Sequence, residues 1–246
     1  IWHWLASRMA LTLFDDQLLL DIAQRSVRLA RDAGDLARLP ASLVILSTVS
    51  VLSGDLARSS ELIAEQTAIT HVTGGVPLHF GRLAHAAWSG LQAETLEIHA
   101  ASVDEAVARG NDAEVALAQV PLAVLHNALG NYTAALDAAE RASQSLEPPH
   151  TNLALPELVE AAARAGQPAR ASAALDQLNS RAHANGTTWA LGVAAYCSAL
   201  TNSGPTAEEQ YREGIERLRT CRFVPYLSRA HLVYGEWLRR EGRRQD

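Results

Sequence analysis

The chain has 246 residues and a net charge of -6, with 48% hydrophobic residues but only 5% aromatic ones, so its core must be filled by Leu, Ala, Val and Ile rather than by rings. All 21 basic residues are Arg. The absence of Lys excludes a Walker-type phosphate loop, a Schiff-base lysine and a Ser-Lys dyad, and the acidic balance is not that of a nucleic-acid-binding domain.

In chain order, helical periodicity predicts a lead-in helix near 2–13 followed by one at 16–33. Helix pairs then follow at 36–53 with 55–72, 78–89 with 92–109, 112–129 with 131–146, 152–165 with 168–184 and 188–202 with 205–220, and a last helix lies near 225–241. The links carry Gly74-Gly75-Val76-Pro77, Glu147-Pro148-Pro149, Gly186 and Phe223-Val224-Pro225. Pro121 falls inside a helix and predicts a kink or break there.

The pairs form a repeat. Gly54, Gly90, Gly130, Gly166, Gly204 and Gly242 recur at intervals of 36, 40, 36, 38 and 38 residues. Eight positions before these glycines stand Leu46, Arg82, Leu122, Leu158, Tyr196 and Tyr234, and seven before stand Ser47, Leu83, Ala123, Val159, Cys197 and Gly235. A large residue beside a small one is what lets a helix nest against its neighbour's backbone, and the second copy is the weakest. In the following helices, Ala135, Ala138, Ala139 and Ala142 form a narrow small-residue face. The expected architecture is all-α: a right-handed α-α superhelix of about six pairs, one domain over 1–246, in which each pair touches only its neighbours.

The chain opens in a running helix at Ile1-Trp2-His3-Trp4-Leu5, its one Met is Met9, and it closes on Gly242-Arg243-Arg244-Gln245-Asp246, where a partner helix is expected. It reads as a piece of a longer protein. Cys197 and Cys221 have no ligand or redox spacing and read as reduced, buried thiols. No apolar run is long enough to span a bilayer, so a cytoplasmic location without membrane contact is expected.

His126 to Leu136, through Gly130 and Tyr132, with Pro148 near the end of the unit, resembles a tetratricopeptide repeat. The segments Arg25 to Gly34, Val124 to Ala142, Glu157 to Gly166, Trp189 to Gly192, Tyr211 to Leu218 and Arg229 to Glu241 are similar, in that order, to the helical region of large ATP-binding LuxR-family transcriptional regulators. The resemblance implies a parent with an upstream NTPase module, this helical sensor or scaffold region, and a downstream helix-turn-helix that reads DNA. ATP is then the parent's cofactor, and this region holds none. Its partners are the parent's other domains and a peptide or small-molecule inducer, with DNA contacted only through the separate C-terminal domain.

No catalytic site is expected. The nine histidines form no ligand pair, His126 reads as a packing residue, and no G-x-S-x-G turn is present. The candidate binding surface is the concave groove, where positions two, three and six before the glycines select Trp88, Asn127, Glu160, Arg164, Ser198, Asn202, Glu236, Arg239 and Arg240. Glu160 and Glu236 lie two repeats apart, which predicts a separation of roughly 20 Å at ~10 Å per packed helix. The Arg239, Arg240, Arg243 and Arg244 cluster reads as a helix end, its charge offset by Glu236 and Glu241. The competing reading is a free-standing repeat adaptor that docks partner peptides.

Overall fold

The computed structural model describes residues 2–243, excepting the side chains of residues 2 and 3; Ile1 and Arg244 to Asp246, which the terminal expectations include, lie outside the described residues. All regular structure within them is helical. The elements are α1 (Trp2–Thr12), α2 (Asp16–Asp32), α3 (Leu39–Leu52), α4 (Leu56–Thr73), α5 (Phe80–Trp88), α6 (Gln92–Ala108), α7 (Asp112–Ala128), α8 (Tyr132–Ser143), α9 (Pro148–Arg164), α10 (Pro168–Asn185), α11 (Thr188–Thr201), α12 (Gly204–Leu218) and α13 (Val224–Arg240). They stack as consecutive antiparallel pairs, as the repeat predicts. No helix among them is long and apolar enough to cross a membrane.

The ends of the helices follow from local chemistry. Asp15, Asp55, Asn111 and Thr187 cap α2, α4, α7 and α11 by accepting a backbone N–H three residues on. Most of the opposite ends close with a left-handed residue, after which the next N–H bonds back five residues, as in Asp55 to Ser50, Asn131 to His126 and Gln167 to Ala162, whereas α8, α11 and α12 end without one. All six repeat glycines have φ between 63° and 80°, and Gly34, Gly74, Gly110 and Gly186 at the ends of the second helices have φ between 61° and 69°. The device therefore ends single helices, at about half the spacing read from the sequence. At the end of α1 the same position is filled by Phe14, at φ 52°.

No break occurs at Pro121: α7 runs unbroken through it, and α9 likewise contains Pro156. Pro148 and Pro149, read as a link, form the first turn of α9, where a residue has no intrahelical N–H bond to lose.

The helices lie in two layers. α3, α5, α7, α9, α11 and α13 each touch the next and form the inner layer; α2, α4, α6, α8, α10 and α12 pack outside. Burial reflects this. α9 is buried at every residue from Pro149 to Glu160 and on to Ala162, whereas α10 buries only the stripe Ala171, Ala174, Leu178 and Ala182. Ala135, Ala138, Ala139 and Ala142 of α8 are completely buried. The tightest pair is α11 with α12, where Gly192 and Gly214 face each other: a Cβ on Gly192 would meet Leu218 at 2.7 Å, and one on Gly214 would meet the Gly192 carbonyl at 3.0 Å.

The expectation that pairs touch only their neighbours does not hold. The inner layer curls until α13 meets α3, where Gly54 faces Val224 and Pro225, and α1 packs on α9. The turn after α1 enters the end of the stack. Phe14 meets Trp189 edge-on at 5.0 Å, Trp189 meets Phe223 at 4.7 Å and Tyr226 at 5.5 Å, and all four rings are buried. Around this aromatic clasp, Asn152 and Asn185 both donate to the Thr12 carbonyl, at 2.8 and 3.2 Å, Asp16 accepts the backbone N–H of Arg222, and Arg8 pairs with Glu147.

Candidate functional site

The curl places a cleft of about 570 Å³ at the centre of the inner layer, bounded by the C-terminal ends of α3 and α5, by α7, α9 and α11, and by the first half of α13. Its wall is mostly apolar. Trp88, Val124, Tyr196 and Tyr226 line it, with Trp88 and Tyr226 in edge contact at 5.9 Å. The charged residues lining it, among those described, are Glu157 and Arg229.

These two belong to a polar seam through otherwise apolar helices. Asn127 of α7 donates to the Glu157 carboxylate at 2.9 Å and to its main-chain carbonyl at 3.0 Å. Arg229 of α13 grips Glu160 with two contacts of 2.8 Å, and Arg164 pairs with Glu236 while lying 3.9 Å from Glu160. Arg164 also lies over the Tyr132 ring at 5.7 Å. Apart from Arg164 with Glu160, four residues apart on α9, these contacts join residues far apart in the chain, and Glu160 is only 4% exposed. Buried charges persist in such surroundings only when paired and hydrogen-bonded.

The electrostatics follow from that burial. Removal from water pushes the Glu157 carboxyl up to about 7; Arg229 and Asn127 pull it down, while Glu160 beside it pushes the other way. For Arg229 burial opposes the charge, but Glu160 and Glu157 outweigh it and hold the guanidinium protonated. Burial also raises the Cys197 thiol and the Tyr226 hydroxyl, so neither ionises readily. Both cysteines are free and buried, as their spacing predicts. At the other end of α9, burial with Arg8 nearby lowers His150 to about 4, Glu147 opposing.

Of the nine groove residues selected from the sequence, Asn127, Glu160, Arg164 and Glu236 meet in the seam, and Trp88 lines the cleft. The wide separation expected for Glu160 and Glu236 is wrong, because one Arg164 guanidinium contacts both carboxylates. The tight curl of α9, α11 and α13 brings their side chains to one point. Ser198 bonds its own helix at the Ala194 carbonyl, and Asn202 reaches Gln210 on the exposed edge. Their misplacement has a local cause: α11 ends with Asn202 extended, and Gly204 opens α12 instead of following the helix cap, so positions counted back from it are out of register. Arg239 and Arg240 are exposed in the last turn of α13. The charge near them is offset differently from the expectation, since Glu236 turns to Arg164 and Arg243 pairs with Glu208.

Sequence reasoning missed Glu157, Tyr196, Tyr226 and Arg229 as cleft residues. For Glu157 a signal was present. In Leu153-Ala154-Leu155-Pro156-Glu157-Leu158-Val159-Glu160-Ala161-Ala162 two carboxylates three apart share one face of an otherwise apolar helix. No protein-family model matches the chain, and no curated protein matches it.

Proposed function

We propose that this chain is the sensor and scaffold region of a large ATP-binding LuxR-type transcriptional regulator, with the central cleft as its ligand site. Occupation of the cleft then sets how tightly the superhelix curls, and the curl is passed to NTPase and DNA-reading modules elsewhere in the parent. The observation that carries the reading is the closure of the stack around the cleft. Its walls come from both ends of the inner layer, α3 and α13, so a ligand that touches both changes the relation of segments some 170 residues apart. The segments that resemble the helical region of such regulators, and the lack of any Lys to serve a phosphate loop, support a region that binds and does not hydrolyse.

The test is to read the native coding sequence on both sides of this segment. The expected result is a glycine-rich phosphate loop ending in Lys-Ser or Lys-Thr upstream and a LuxR-type helix-turn-helix downstream. Neither being present would overturn the reading and favour the peptide-docking adaptor.

A further inference from the structure

The charge count of the seam is unequal. Arg229 is taken up by Glu160 and Arg164 by Glu236, which leaves Glu157 as the carboxylate without a cation of its own, 9% exposed and lining the cleft. Its direct side-chain partner is the Asn127 amide, a neutral donor. The other end of that amide is also unmet: Asn127 Oδ1 is buried and accepts no hydrogen bond from the protein. Both unmet functions are acceptors, and one carries charge. Around Glu157 the cleft offers the rings of Trp88, Tyr196 and Tyr226, whose faces attract cations, and an apolar wall suited to a hydrocarbon body.

From this geometry we infer that the cleft binds an organic monocation, an alkylammonium head carried on an apolar body, with Glu157 as its counter-ion. The inference rests on the reading of the cleft as a ligand site and adds the class of ligand. An ammonium has donors for the Glu157 carboxylate, and its charge balances the seam. An anion would meet Glu157 with like charge, and a neutral ligand would leave the surplus charge where it is. The groups around Glu157 are Asn127 from α7, Glu160 from its own helix, Tyr196 and Cys197 from α11, and Tyr226 and Arg229 from α13. Glu157 is the one among them that burial moves up to about neutrality. Its deprotonated form is the one that binds a cation, so ammonium affinity should rise between pH 6 and pH 8, a range in which an alkylamine stays protonated.

Three probes with one apolar body and different heads test this by calorimetry on the purified chain: 4-phenylbutylamine, 4-phenylbutan-1-ol and 4-phenylbutyrate. At pH 8 the amine should bind about tenfold tighter than the alcohol, as expected for a charge-assisted contact in a partly buried site, and the acid should bind weakest. Only the amine should tighten from pH 6 to pH 8. Glu157→Gln, which preserves shape and a hydrogen bond to Asn127, should bring amine and alcohol within about twofold of each other at pH 8, with a melting temperature no lower than that of the unaltered protein. Equal binding of all three probes, weakened alike by Trp88→Ala, would overturn the charge selection and leave the cleft as a ligand site. An amine preference untouched by Glu157→Gln would place the selection elsewhere and overturn the role of Glu157. Failure of all three to bind would overturn both readings. The comparison on the unaltered protein decides the matter even if the variant does not fold.

Discussion

The aromatic clasp at Trp189 and the charged seam at Glu160 both tie together stretches of chain remote in sequence, but with opposite chemistry. In the clasp, Phe14, Trp189, Phe223 and Tyr226 remove ring surface from water at one end of the stack. Its strength comes from area and close packing, and it also pins Phe14 in a left-handed conformation that a non-glycine residue avoids when nothing holds it there. In the seam, Asn127, Glu160, Arg164, Arg229 and Glu236 meet inside helices that are otherwise apolar. Burying the charges costs much of what their attraction returns, so the pairs contribute little net stability while strongly penalising any arrangement that leaves one unmatched. The clasp holds the superhelix closed; the seam specifies how it closes.

The largest effect should come from the clasp. Trp189→Ala removes the ring that three others touch, and an expected loss of about 4 kcal/mol should appear as a lower midpoint in urea unfolding. A loss below about 1 kcal/mol would mean that the end of the stack is not packed as described.

The seam comes next. Arg229→Ala leaves buried Glu160 with only the longer contact to Arg164 and should cost about 3 kcal/mol, yet the double change Glu160→Leu with Arg229→Met should restore most of it, because both charges go together. No recovery in the double variant would show that the pair stabilises outright, and the contrast between the two regions would fail.

The smallest effect is a difference in pH response. Folded Glu157 holds its proton up to about pH 7, so its contribution is complete below the ordinary carboxyl range and is lost as pH rises towards 7. His150, at the start of α9 near Arg8 of α1, behaves in the opposite direction. It stays neutral down to about 4 when folded, so its contribution is present above the ordinary imidazole range and is lost as pH falls through that interval. Between pH 5 and pH 7.5 the Glu157 part should be worth on the order of 2 kcal/mol. Urea midpoints across that range should flatten on the alkaline side in Glu157→Gln and on the acid side in His150→Gln. Identical pH profiles for the two variants would remove the distinction.

Much of the site was legible one helix at a time. Trp88, Asn127, Glu160, Arg164 and Glu236 were found from register alone, because a glycine-terminated turn fixes which residues precede it on the inner face. Ser198 and Asn202 were misplaced where that turn changes form at Gly204. Glu157 and Arg229 were missed because they lie further from their glycines, where a position's neighbours depend on how far the stack has curled.

The sequence by itself determined the helices and their order. Capping residues, left-handed turns and the period of apolar side chains act over a few residues, and they brought nearly every boundary within a few positions of the structure. The pairing partners followed, since short links force neighbouring helices to lie antiparallel. Only the tertiary structure decided that the stack closes on itself, that Phe14 reaches Trp189, and that one guanidinium serves Glu160 and Glu236. The physical reason is accumulation. Each pair adds a small rotation set by side-chain packing, and its sum over six pairs depends on contacts such as Gly192 against Leu218, which no short stretch of sequence encodes alone.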